Sequence, residues 1–257
     1  MKFEIKNRKD QKLVCVIEEN PNSKGLAFVC HGLGGNKDQK HLRTICKAFH
    51  ECGLSVVSFD TTNTFGESDG KYEDATTTNY LEDLEDVIKY SKKQSWFKSP
   101  LYLCGHSLGG ITILTYAQRN PQDVKGLVPV SSVVSGELSM QTKKYKDNLQ
   151  IWKTQGYREE KSESVIGRIK KLKWSHMEDR LKYDILPDCD KIKVPVLIIV
   201  GTDDDSTPLE HQKIFFDKLN CDKQLEIIQD APHTFVDQKH LDQIYDIIIK
   251  WITRVEK

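Results

Sequence analysis

No stretch of this 257-residue chain approaches 18 consecutive apolar residues, so the sequence predicts no membrane-spanning helix. Neither sign of charge is in excess. Thirty-eight Lys and Arg face 38 Asp and Glu, so there is no basic field to recruit nucleic acid and no acidic tail. The opening MKFEIKNRKDQKLVCVIEEN alternates polar and apolar residues as a pair of strands would, and lacks the apolar stretch of a signal peptide. The seven cysteines (15, 30, 46, 52, 104, 189 and 221) are odd in number and include no CxxC pair, and Cys30 and Cys104 fall inside apolar runs. They read as reduced, mostly buried thiols of a cytoplasmic protein. A chain of this length makes one large domain that buries roughly 70–75% of its unfolded surface and needs no disulfide or metal staple.

What is present is an alternation. Short apolar runs occur at Leu26–Cys30, Val56–Phe59, Leu101–Cys104, Gly126–Val130, Val194–Val200 and Leu225–Ile228. They are apolar on consecutive positions, which predicts strands covered on both faces, as in a mostly parallel sheet flanked by helices. Between and after them, Leu42-Ile45-Cys46-Phe49, Tyr80-Leu84-Val87-Ile88 and Leu241-Ile244-Ile248-Trp251 carry the spacing of amphipathic helices. The fold class is therefore α/β, with functional loops expected at the carboxyl ends of strands.

Residues 136–190 break the rhythm, being far longer than the usual ~2–6-residue connection. Val165, Ile169 and Leu172 have the spacing of one helical face, with Arg168, Lys170, Lys171 and Lys173 around them. The segment is expected to be a helical cap on a core formed by residues 1–135 and 191–257. It would supply Trp152, Tyr157, Trp174 or Met177 to a pocket, with Trp152 and Trp174 the foremost substrate-binding candidates.

The chemistry starts at Gly105-His106-Ser107-Leu108-Gly109, a Gly-x-Ser-x-Gly between an apolar strand and a helical run. A serine on so sharp a turn takes strained backbone angles, and its neighbours two positions away must be nearly free of side chain. The turn lifts Oγ clear of the sheet and aims the helix amides at any negative charge forming there. A serine hydroxyl needs a base, and the base needs a carboxylate to orient it. Carboxylates come where Val194–Val200 ends in Gly201-Thr202-Asp203-Asp204-Asp205. These three aspartates have no matching His or Cys spacing that would suggest a metal site. The histidine that directly follows the last strand run is His233, with His240 the alternative. Ser, Asp, His is the chain order this chemistry takes on an α/β sheet. For an oxyanion, the Leu108 N–H is one donor. The glycines of His31-Gly32-Leu33-Gly34-Gly35 allow close backbone approach, making Leu33 N–H the second.

Together these pieces resemble the α/β-hydrolase superfamily over nearly the whole chain. His31-Gly-Leu-Gly-Gly-Asn-Lys, Phe59-Asp60, Gly66-Glu67-Ser68-Asp69-Gly70, Gly-His-Ser-Leu-Gly-Gly and the mid-chain insert look like the bacterial feruloyl/cinnamoyl esterase branch. That branch borders on serine aminopeptidase-like hydrolases and monoacylglycerol lipases. The resemblance implies Ser107 as nucleophile, His233 as base and Asp204 as its partner, since Gly201 and Pro208 frame Asp204 as the family frames its acid. It also implies a cofactor-free, metal-free serine esterase acting on a small carboxylic ester, short acyl or hydroxycinnamoyl. One departure stands out: the loop from Asp60 to Gly66 is one residue longer than the Asp-Phe-x-Gly-x-Gly usual in such esterases. The alternatives are an aminopeptidase, amidase or monoacylglycerol lipase on the same machinery, and a non-catalytic binding protein on the same scaffold. A degenerate scaffold should have lost a member of the triad, and here all three residue types are in place.

Overall fold

In the computed structural model, which describes residues 1–161 and 169–257, the six apolar runs all become strands of one sheet. In chain order the elements before the insert are β1 (Lys2–Lys6), β2 (Lys12–Glu18), β3 (Leu26–Cys30), α1 (Lys40–Glu51), β4 (Ser55–Asp60), α2 (Thr77–Ser91), β5 (Leu101–His106), α3 (Leu108–Arg119) and β6 (Val124–Val130). The insert supplies α4 (Gly136–Met140), α5 (Leu149–Gln155), β7 (Tyr157–Lys161), β8 (Ile169–Lys173) and α6 (Ser175–Arg180). The chain then returns to the sheet with β9 (Val196–Asp203), α7 (Leu209–Lys218), β10 (Lys223–Pro232) and α8 (Gln238–Val255).

The eight-stranded sheet has the order β1-β2-β4-β3-β5-β6-β9-β10. β1 and β2 join antiparallel, and every pairing from β4 to β10 is parallel. The consecutive apolar residues serve both faces at once. Leu26, Phe28 and Cys30 of β3 enter one core with α2, α3 and Phe215 of α7, while Ala27 and Val29 enter the other with α1 and α8. β5 and β9 divide in the same way, because successive strand side chains point to opposite faces. The amphipathic stripes behave as their spacing predicts: Leu42, Ile45, Cys46 and Phe49 of α1 and Leu241, Ile244, Ile248 and Trp251 of α8 are buried. Thr76 caps α2, its hydroxyl oxygen accepting from the Asn79 N–H at 3.0 Å. β10 departs from expectation. It is the sheet edge, and Ile227 is 44% exposed, because only β9 pairs with it. All seven cysteines are free thiols.

The insert differs in part from its predicted helical form. Ile169 and Leu172 do not share a helical face. They lie in β8, which pairs antiparallel with β7, and Ile169 is 61% exposed while Leu172 is buried. Val165 and Arg168 of that expectation lie outside the described residues. The cause lies across the strands: Glu159 is opposite Lys171 and Glu160 opposite Lys170, pairing unlike charges in register. Gly156, with φ of 76°, ends α5 in a left-handed turn and starts the return strand. The Trp152 indole N–H then donates to the Leu172 carbonyl at 3.1 Å, clamping α5 to the hairpin. Trp152 packs with Tyr72, Tyr145, Leu172 and Met177, and Leu33 and Trp174 lie against this cluster.

Candidate active site

β5 ends at His106, and the chain turns into α3 through Ser107, whose φ of 55° and ψ of −115° are outside the regions a serine ordinarily occupies. Such strain costs on the order of 1–3 kcal/mol and persists only where the surroundings impose it. They do so by leaving no room. A Cβ added at Gly105 would lie 2.2 Å from the Gly109 carbonyl oxygen, and one at Gly109 would lie 2.6 Å from the carbonyl of His31. The Ser107 carbonyl accepts from Gly110 and Val133 amides, both at 3.0 Å, which fixes the peptide on the helix side.

Three side chains converge here from three loops. His233 Nε2 lies 2.9 Å from Ser107 Oγ, and its Nδ1 lies 2.9 and 3.0 Å from the two Asp204 oxygens. A carboxylate only accepts, so Nδ1 carries the proton and Nε2 is left to accept from the serine hydroxyl. Asp204 is 4% exposed, whereas Asp203 and Asp205 are exposed and hydrogen-bond within their own loop, to Thr202 and Ser206. Burial pushes the Asp204 pKa up. Hydrogen bonding and charge from His233, with the amide and hydroxyl of Thr207, outweigh it and hold the carboxyl well below the usual carboxylate range. His240 is buried within α8, and neither of its ring nitrogens has a hydrogen-bond partner among the described residues.

Thr207 was not singled out by the sequence. Its amide donates to Asp204 Oδ1 at 2.8 Å, and its hydroxyl lies 2.8 Å from Asp204 Oδ2 and 3.2 Å from His233 Nδ1. An Asp followed three residues later by Thr in a turn was the available signal, since such side chains bond their own loop backbone.

The loop after β3 brings a backbone donor. The Gly32 carbonyl accepts from three groups: His31 Nδ1–H at 2.8 Å, the Gly35 amide at 2.9 Å and the Tyr80 hydroxyl at 3.0 Å. His31 can donate from Nδ1 because its Nε2 accepts from the Thr61 N–H at 3.0 Å, which fixes the tautomer. Burial lowers the His31 pKa, keeping the ring neutral. The carbonyl of Gly32 and the N–H of Leu33 share one trans peptide and point in opposite directions. Anchoring the first therefore aims the second. Among the described residues, neither the Leu33 nor the Leu108 amide meets a hydrogen-bond acceptor. Gly32 also sits against the elbow, where an added Cβ would come within 2.9 Å of Ser107 Cβ. Tyr80 comes from α2, and no local motif announced it.

The two tryptophans are neighbours, with rings 5.4 Å apart at 87°. Trp152, expected at a pocket wall, is 2% exposed and lies inside the cap, while Trp174 is half-buried. Tyr157 lies on the exposed hairpin and Met177 is fully buried.

The comparisons with known proteins agree with this layout. A family model described as serine aminopeptidase, S33, matches residues 21–239. Over 239 residues the chain is 26% identical to an Escherichia coli protein described as a 31.7 kDa protein in the traX-finO intergenic region, covering 81% of this chain and 82% of that one. It is 27% identical over 194 residues to the mitochondrial palmitoyl-protein thioesterase ABHD10 of Bos taurus, covering 72% of this chain and 58% of that protein. Among solved structures, Est1E from Butyrivibrio proteoclasticus with ferulic acid bound matches with a TM-score of 0.82 at 23% identity, covering 98% of each chain. At that identity the structural likeness carries the fold alone. The family match spans most of the chain, and with the α/β-hydrolase fold it makes this protein a serine hydrolase of the serine aminopeptidase S33 family.

Proposed function

We propose that the protein is a serine esterase that hydrolyses small carboxylic esters, short acyl or hydroxycinnamoyl, in the cytoplasm. The observation that carries the reading is the unbroken chain from Asp204 through His233 to Ser107, with contacts of 2.9 Å on each side of the imidazole. In this scheme His233 Nε2 takes the Ser107 proton as Oγ bonds to the acyl carbon, and the carbonyl electrons move onto oxygen. The Leu33 and Leu108 amides hold that oxyanion, a contribution of roughly 3–4 kcal/mol per donor in comparable sites. The imidazolium returns its proton to the departing alcohol oxygen as the C–O bond breaks, leaving an acyl-serine. A water then repeats the two steps, with His233 as base and then acid, releasing the carboxylic acid and restoring Ser107. Asp204 stays ionised throughout and steadies the charged imidazole. Residues 136–190 act as the cap, with half-buried Trp174 meeting the acyl or aryl group and Trp152 backing it.

The family's description names aminopeptidases, and the same machinery serves amides. An aminopeptidase also needs a carboxylate to hold the substrate's free amine. Two acids of the insert instead have partners within the protein: Glu160 pairs with Arg158, and Asp179 with Thr78 and Lys182. Esters are therefore favoured. The test compares kcat/KM for a panel of short acyl and hydroxycinnamoyl esters with matched aminoacyl anilides, beside Ser107→Ala. Esters should lead by ~100-fold or more, about 2.7 kcal/mol of transition-state binding. Ser107→Ala should lose about 10⁴-fold and escape fluorophosphonate labelling. Anilides cleaved as well as esters would move the protein to the peptidase reading.

A further inference from the structure

Arg180 at the end of α6 is 2% exposed, yet among the described residues it pairs with no carboxylate. Its two hydrogen-bond partners are a histidine and a tyrosine. Nη2 donates to His176 Nε2 at 2.8 Å, and Nη1 lies 3.5 Å from the Tyr145 hydroxyl. His176 is in the tautomer that accepts there, because its Nδ1–H donates to the Ala75 carbonyl at 2.8 Å, and burial with the Arg180 charge keeps its pKa well below the usual histidine value. Arg180 Nε is buried without a partner. The adjacent acid, Asp179, faces Thr78, accepting from its amide at 2.8 Å and its hydroxyl at 2.7 Å.

A second cation adjoins this one. The Arg158 guanidinium lies 4.9 Å from the Tyr145 ring centre and 4.8 Å from that of Trp152, with its Nε also buried and unpartnered. Lys144 lies 5.9 Å from the same tyrosine ring. Among the described residues, one carboxylate pairs with these three cations: Glu160, 3.3 Å from Arg158. A buried guanidinium without a counter-charge costs several kcal/mol, and two buried N–H groups left free add to that. A groove of about 700 Å³, lined by Glu137, Met140, Gln141, Lys146, Leu149 and Leu181, adjoins the cluster: Lys146 and Leu181 are next in the chain to Tyr145 and Arg180, and Met140 and Leu149 pack against the cluster holding Tyr145.

We propose that Arg180 and Arg158 form a binding site in the cap, beside Tyr145, for a small oxyanion, the carboxylate of an organic acid being the chemistry that fits guanidinium groups. The site does not depend on Ser107. It has a built-in competitor. Burial pushes the Tyr145 phenol up, but Arg180, Lys144 and Arg158 outweigh this and bring it down to about 7. Tyr72, from the loop before α2, faces the same ring, and His176 of α6 and Glu160 of β7 join the group through Arg180 and Arg158. Above that pH a phenolate supplies the missing negative charge from within. Binding is therefore strongest below about pH 7 and fades as the pH rises through it.

The experiment uses the full chain carrying Ser107→Ala, so that no turnover enters. Thermal unfolding is followed at pH 6 and pH 8.5 in acetate, succinate or inorganic phosphate, each against chloride at equal ionic strength. At pH 6 an anion held near ten times its Kd should raise Tm by about 3–6 °C for a chain of this size. The rise should vanish in Arg180→Gln and shrink in Arg158→Gln, which serves if the first variant does not fold. Tyr145→Phe should keep the rise at pH 8.5, where the parent loses it. With Ser107 intact, the KM of a half-ester of succinate relative to the diester distinguishes the source. A preference lost in Arg180→Gln assigns the anion to the substrate, and anion binding without such a preference assigns it to a separate ligand. No Tm rise over chloride, or a rise unchanged in both arginine variants, overturns the site.

Discussion

His106, the residue before Ser107, donates its Nε2–H to the carbonyl of His233 across 2.8 Å. The strand that carries the serine thus also holds the loop that carries the imidazole, 127 positions away in the chain. The ring is buried, and burial followed by the charges of His41 and His233 keeps its pKa well below the usual histidine value, so it stays a neutral donor.

Replacing His106 by Leu should leave that carbonyl unpaired and let the imidazole drift. We expect kcat to fall by ~10–100-fold with KM within about 3-fold, since misplacement costs the chemical step more than binding. His106→Gln, which keeps an amide donor, should recover part of the loss. Steady-state kinetics on one ester decides it. A His106→Leu enzyme with parental kcat would show that the loop is held by other means.

Only Asp204 of the three aspartates reaches His233. Asp204→Asn should lower kcat by up to ~10⁴-fold, while Asp203→Asn and Asp205→Asn should stay within a few-fold. A stability signature accompanies this. The folded pKa of Asp204 is depressed below the unfolded value of about 3.9, so its contribution is complete above that pH. It is lost as the pH falls from about 4 through the lower folded value. Parental Tm should therefore drop more steeply than that of Asp204→Asn below pH 4. Parallel curves would argue against a depressed carboxylate.

Tyr80→Phe removes one of the three donors to the Gly32 carbonyl without altering the packing volume much. With two donors remaining, kcat should fall by about 3–10-fold while Tm changes little. Deleting the hydroxyl with no effect on kcat would mean that His31 and Gly35 suffice to aim the Leu33 amide.

The two cap tryptophans should separate by readout. Trp152→Ala empties a fully enclosed site and removes the clamp on Leu172, so a stability loss of about 3–5 kcal/mol is expected in denaturant unfolding. Trp174→Ala should cost less stability and change the ranking of acyl groups in an ester panel. The opposite pattern would exchange their roles.

The sheet was legible from the amino-acid order because burial on both faces demands consecutive apolar residues, a local pattern that any reader of Leu26–Cys30 or Val196–Val200 meets directly. The elbow was legible for a similar reason: Gly105 and Gly109 mark backbone that a side chain would obstruct, and that requirement is written in neighbouring positions. Tertiary structure decided what depends on residues distant in sequence. It selected Asp204 from its exposed neighbours, and brought Tyr80 and Thr61 to the loop of Gly32 and His31. It made Ile169–Lys173 a strand, since the acids that oppose its lysines stand on β7 rather than along its own helical face. It also buried Arg180 against a histidine and a tyrosine, with no paired carboxylate among the described residues, an imbalance that no count of a chain with equal charges reveals, because the energy of a charge depends on which groups surround it.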